Sequence, residues 1–270
     1  MESLEHRLDF YVDQAIDAYV ESCRELKRPV LPIDIDVVAT KIGNIDIEVR
    51  EMIPEAAVEV DGGRFRIYLQ NNFSDRRGSS RRQRFSLAHE IAHTFFFEPK
   101  QGNLKPLKGA PRGLSLERAC HQGAGMLLIP ERFLERELKK VGGQFHAREV
   151  LDWAKLFDVS VEVLLRRLQC CGTLESSGVS FALVDNGRIK FAGYPTWLKG
   201  FLPAPAIKRV FEEWLGANGA ELTVLKDGSY TASAADAVMN VQLSQLSASR
   251  CLFEIRILSR HGDAQLRFAG

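Results

Sequence analysis

Cysteine is scarce and awkwardly placed. The 270 residues hold five, Cys23, Cys120, Cys170, Cys171 and Cys251. The number is odd, no Cys-x-x-Cys spacing occurs, and two of the five are adjacent. That excludes an ordinary disulfide framework and points to a reducing compartment. An excess of either charge is also missing. Thirty-six Lys+Arg against thirty-five Asp+Glu leave a formal net charge of +1, so no global field draws the chain to nucleic acid or to a membrane surface. No uninterrupted apolar run approaches the roughly 20 residues of a bilayer-spanning helix. The opening stretch MESLEHRLDFYVDQ lacks the basic start and apolar core of a secretory signal. Internal repeats and low-complexity tracts are absent too. The expectation is a soluble, cytoplasmic protein of one large domain or two modest ones.

What is present reads as mixed α and β structure. Leu8, Tyr11, Val12, Ile16, Tyr19 and Cys23 recur at helical spacing over 4–26. A short helix is predicted to end near Gly43. IDIEVREM alternates with period two, as a half-buried strand does. AAVEVDGGRFRIYLQ reads as two strands around Asp61-Gly62-Gly63, so a small antiparallel sheet is expected. The next helix starts at Gly78-Ser79-Ser80 and ends by Pro99. Residues 100–113 read as a Gly/Pro/Lys loop, and a further helix runs from about Ser115 to Ile129. Residues 131–140 look helical, and 148–169 give two short helices around Asp158-Val159-Ser160. ESSG at 175–178 marks a domain boundary. Beyond it the expectation is a hairpin across Asn186-Gly187, a short helix in AIKRVFEEWLGA, and strands in ELTVLKDG and RCLFEIRILSRHG.

Chemistry concentrates in RRQRFSLAHEIAHTFFFEP, residues 81–99. His89 and His93 lie four apart on a helix, roughly 40° apart around its axis, and can point at one place. Two convergent imidazoles suit a transition metal, most often Zn²⁺. Glu90, directly after the first, can reach a water on that metal. The metal lowers the pKa of such a water toward ~7 and polarises a carbonyl. The glutamate takes the proton and passes it to the leaving amine. This is the His-Glu-x-x-His pattern of zinc peptidases. The bland reading, two core histidines satisfied by backbone carbonyls, fits poorly, because Phe85, Leu87, Ala88, Ile91, Ala92, Phe95 and Phe96 make the helix apolar nearly all round. Unpaired polar groups buried there would cost about 1–3 kcal/mol each. The arginines before it, Arg76, Arg77, Arg81, Arg82 and Arg84, read as a solvated helix start, with a docking patch for an acidic partner as the rival.

A catalytic zinc usually has three protein ligands and one open position. SLERACHQGAGMLLIP, 115–130, offers Glu117 and His121, four apart on one helix face. From spacing alone the two are equal rivals. Gly123 and Gly125 weaken a helix by about 1 kcal/mol each relative to Ala. They make sense if another helix passes very close.

RFSLAHEIAH followed by ERACHQGAGMLLIP resembles the ImmA/IrrE family of metallo-endopeptidases, as does the strand segment with its GGRFRIYLQNN hairpin. The resemblance covers roughly 1–170. It implies an α+β, zincin-like metallopeptidase domain over 1–172, with a helix-turn-helix-like segment at 148–169 and a C-terminal α+β accessory or sensor domain at 178–270. By the resemblance His89, His93 and Glu117 hold Zn²⁺ and Glu90 is the catalytic acid/base. Where the family usually carries Asn, this chain has His121, as a group behind the ligands or as an alternative ligand. The resemblance implies a site-specific endopeptidase that cleaves a helix-turn-helix transcriptional repressor and so derepresses stress-response or mobile-element genes. The alternative is an inactive relative that binds a repressor without cleaving it. The segment DWAKLFDVSVEVLLRRLQ is also plain two-helix packing, and packing or repressor recognition is favoured over DNA binding. Trp197, Phe201, Phe211 and Trp214 are read as core and not as a ligand cage.

Overall fold

The computed structural model describes residues 4–71, 79–100, 103–186, 188–194, 228–234, 237–247 and 250–260. The chain divides into two compact units, Met1–Glu137 with Trp153–Arg167, and Leu138–Asp152 with Leu168–Gly270.

The first unit opens with α1 (Leu4–Glu25) and α2 (Ile35–Ile42). Helix α1 buries Leu8, Val12, Ile16, Tyr19 and Cys23, the stripe its spacing predicts. Asp34 caps α2 by accepting from the Val37 amide, and Gly43 ends it at φ 75°. Three strands follow, β1 (Ile45–Arg50), β2 (Ala56–Asp61) and β3 (Arg64–Gln70). The expected antiparallel sheet is mixed instead. β2 and β3 form the predicted hairpin, but β3 inserts between its neighbours, giving the order β1-β3-β2. β1 therefore pairs with β3 in parallel, Ile45 opposite Phe65 through to Arg50 opposite Gln70. The reason is burial. β3 carries Phe65, Ile67, Tyr68 and Leu69 into the core, whereas β1 and β2 are half-exposed and suit the edges.

Helix α3 (Ser79–Thr94) buries Leu87, Ala88, Ile91 and Ala92. It stops before Pro99. Thr94 Oγ1 donates to Ile91 O at 2.7 Å, and the Phe95 and Phe96 amides donate three residues back, which tightens and ends the last turn. The predicted 100–113 loop begins as a hairpin, β4 (Phe97–Lys100) with β5 (Asn103–Pro106). Helix α4 (Leu114–Leu128) then packs against α3. The contact is close because Gly123 has no side chain. A Cβ there would stand 2.9 Å from Ala92 Cβ and 3.1 Å from Leu8 Cδ1. Gly125 is different, because a Cβ there would meet nothing within 4 Å. The expectation of close approach therefore holds at one glycine and fails at the other.

Helices α5 (Glu131–Lys140), α6 (Ala147–Leu156) and α7 (Val161–Cys170) match the predicted segments. Between the last two, Asp158 adopts φ 50°. Among the described residues the second unit holds a short helix, α8 (Thr173–Ser177), across the ESSG stretch, and five strands, β6 (Ser180–Asp185), β7 (Arg188–Gly193), β8 (Gly228–Ala234), β9 (Ala237–Ser247) and β10 (Arg250–Arg260). They form one sheet of order β7-β6-β10-β9-β8, antiparallel at every pairing. Residues 138–152, which the sequence groups with the first domain, pack into this unit. Phe145 stacks on Phe181 with ring centroids 5.8 Å apart. Glu254, 1% exposed, accepts from His146 Nδ1 at 2.9 Å, the Ala147 amide at 2.8 Å and Arg256 Nε at 2.7 Å. The helix expected at 206–217, most of the strand expected at 221–228, and Trp197, Phe201, Phe211 and Trp214 lie outside the described residues, as do Arg76 and Arg77.

Candidate metal centre

Helix α3 places His89 and His93 one turn apart, and the close approach at Gly123 brings α4 and its Glu117 to meet them. His93 Nε2 lies 3.2 Å from His89 Nε2. Glu117 Oε2 is 3.2 Å from His89 Nε2, and Glu117 Oε1 is 3.7 Å from His93 Nε2. Donors at 2.0–2.1 Å from one tetrahedral ion lie about 3.3 Å apart, so the three side chains have the spacing of a ligand set. The protonation chemistry agrees. Burial lowers the His89 pKa to about 4, and the His121 and His93 rings push the same way against Glu117. Burial also lowers His93. Both imidazoles are therefore neutral, and each can offer a ring lone pair to a cation.

His121 stands one turn beyond Glu117 on α4. One donor atom each from His89, Glu117 and His121 fall within 4.8 Å of one another, and the His89 and His121 rings are 4.4 Å apart, edge to face. His89 Nδ1 is buried without a hydrogen-bond partner. Packing against the neighbouring rings orients that imidazole, in place of the outer hydrogen bond that metal-bound histidines generally make.

Glu90 is 9% exposed. Burial raises its pKa to about 7 and the Glu117 carboxylate adds to this, while the Val58 backbone N–H works in the opposite sense. That amide is free to do so because of the sheet register. The Gln70 amide donates to Glu55 O at 3.0 Å, and with Val58 opposite Ile67 the alternation of the ladder turns the Val58 N–H and C=O toward the open edge of β2. The sequence carries no signal for this contact, which arises only once β2 lies at the edge. Burial, Glu117 and Glu90 all raise the thiol pKa of Cys120, which keeps it protonated in the metal-free protein.

The described arginines ahead of the motif are paired within the fold. Arg81 Nε donates to Asp158 Oδ1 at 2.8 Å, and Arg84 stands 3.5 Å from the other oxygen. Arg82 pairs with Glu55, whose carboxylate also accepts from Ser86. These contacts hold α3 by its first turns, a role for Asp158 that the sequence does not reveal. The solvated helix start describes Arg82, whose side chain is 70% exposed, better than Arg84, which is 19% exposed.

A family model for the IrrE N-terminal-like domain, peptidase M78, matches residues 33–169. The chain belongs to this family. The matched IrrE N-terminal-like domain runs from just before α2 to the end of α7 and contains His89, Glu90, His93, Glu117 and His121, so the peptidase family and the ligand-like cluster coincide. None of the curated proteins matches the chain. The family and the mixed α+β architecture of the described residues agree, and the cluster is compatible with a bound metal ion. No helix among the described residues is long and apolar enough to cross a membrane.

Proposed function

We propose that the protein is a zincin-like, zinc-dependent endopeptidase in which His89, His93 and Glu117 hold the metal and Glu90 is the acid/base. The observation that carries this reading is the 3.2, 3.2 and 3.7 Å separation of the three donors on two neighbouring helices. A zinc ion there would polarise a peptide carbonyl and make water acidic enough to attack near neutral pH. The chain supplies the rest. Glu90 sits in a site that raises its carboxyl toward neutrality, as suits a group that takes a proton and hands it to the leaving amine. The partner in this reading is a cytoplasmic helix-turn-helix repressor, cut at one site so that stress-response or mobile-element genes are released. The second unit serves as an accessory or sensor domain. Direct DNA reading is not part of the proposal, because the arginines of α7 are engaged. Arg166 pairs with Glu162 at 2.8 Å, and Arg167 is buried, donating to Ile129 O and reaching Glu131.

Elemental analysis after dialysis against zinc is expected to find about one zinc per chain. Glu90→Gln should keep the zinc and lose cleavage of a helix-turn-helix protein encoded beside this gene by roughly 10²–10⁴-fold. Cleavage at the wild-type rate by that variant would refute the catalytic reading, and leave a protein that acts by binding its partner.

A further inference from the structure

We propose that His121 is a fourth protein donor to the metal, closing the position a substrate needs, so that the resting site is latent until the His121 imidazole leaves it. The inference rests on the metal reading above and concerns this chain's own residue at the site.

Three observations carry it. Position i+4 on α4 puts His121 directly over Glu117, on the exposed face of the helix. Its Nδ1 is held 2.8 Å from the Glu117 backbone oxygen. A carbonyl oxygen can only accept, so Nδ1 carries the proton and Nε2 of the neutral ring keeps its lone pair. This is the outer hydrogen bond that typically orients an imidazole for metal binding through its other nitrogen. Finally, His121 shares the cluster in which donors from His89, Glu117 and His121 lie within 4.8 Å of one another, its ring 4.4 Å from that of His89. Donors on one ion stand about 3.3 Å apart, and the side-chain torsions of an exposed residue can bring the His121 donor inward.

The ring of His121 stands edge to face with His89 and packs beside Phe85, centroids 5.8 Å apart, while donating to its own helix. Three ligands with an open fourth position make a catalytic site, whereas four protein ligands make a closed one. With a metal bound, His121 would hold that position through Nε2, and its departure would leave the position to a water or a substrate carbonyl oxygen.

Cobalt substitution tests this, because the visible spectrum of Co²⁺ reports coordination independently of cleavage. The wild-type protein should bind one Co²⁺ per chain with a four-coordinate spectrum that azide leaves unchanged. His121→Asn should bind Co²⁺ roughly 10–100-fold more weakly and give a spectrum that azide shifts. His121 is exposed, and matching circular dichroism of the metal-free proteins will show that the fold is retained. Equal affinity and equal spectra in the two proteins, or an azide shift in both, would overturn the fourth-donor role while leaving the three-ligand site standing. Failure of the wild-type protein to bind Co²⁺ at all would overturn both.

Discussion

At the scale of single residues, the site sets two opposed titrations side by side. In the metal-free protein Glu90 is raised from an ordinary 4.5 to about 7, and His89 is lowered from 6.5 to about 4. Between pH 4.5 and 7 the folded chain holds the Glu90 proton and the unfolded chain does not, so this group makes stability fall as pH rises. Between pH 4 and 6.5 the unfolded chain holds a proton on His89 that the folded chain lacks, so stability rises with pH. His93, lowered by burial, adds to the rise. Glu90→Gln removes only the falling contribution. The variant should therefore gain on the wild type as pH increases, by roughly 2–3 kcal/mol from pH 5 to pH 7. Urea unfolding of the two metal-free proteins at both pH values measures it, and a difference independent of pH would contradict the assignment of a buried, raised carboxyl.

At the scale of elements, the site depends on how closely α3 and α4 approach. The sequence offers two glycines in α4, and the structure separates them. Gly123→Ala would force a methyl to 2.9 Å from Ala92 Cβ. It is expected to cost about 1–3 kcal/mol and to weaken zinc binding by moving Glu117 away from His89 and His93. Gly125 sits in the same helix with open space around its would-be Cβ. Gly125→Ala should stabilise by up to about 1 kcal/mol, because only the helix propensity changes, and leave zinc affinity as it was. Thermal melts and competition with a zinc chelator read both effects. Loss of stability in both variants alike would remove the argument for a specific contact at Gly123.

At the scale of the whole molecule, a buried carboxylate assigns the middle of the chain to its unit. Glu254 on β10 accepts from His146, Ala147 and Arg256, and so ties residues 145–147 to the second sheet. Glu254→Ala would leave the buried Ala147 amide without its acceptor and Arg256 without its carboxylate partner, at a cost of roughly 3–5 kcal/mol. Backbone amides of 147–152 should then exchange faster with deuterium, while those of α3 and α4 keep their protection and the proposed zinc uptake is unchanged. Equal loss of protection in α3 and α4 would show that the two units do not unfold separately.

Much of this was legible in one dimension, because some physical constraints are local. Helical spacing placed Leu8, Val12, Ile16, Tyr19 and Cys23 on one buried stripe of α1, and Asp61-Gly62-Gly63 set the β2–β3 turn. The i,i+4 geometry of a helix was enough to aim His89 and His93 at one point. What the sequence left open were choices between distant partners. Spacing could not rank Glu117 against His121, since both lie on one face of α4, and packing on α3 put donors of both near His89. Alternation along β1 marks a strand and not the direction of its neighbour, so the parallel pairing of β1 with β3 could not be read from it. The Val58 amide beside Glu90 followed from the edge position of β2. Residues 138–152 went to the second unit because Glu254, more than a hundred residues away, supplies the acceptor their backbone and His146 require. Periodicity and turn chemistry act over a few residues and are written in order along the chain. Pairing, close approach and the satisfaction of buried polar groups join residues far apart, and only the folded chain decides them.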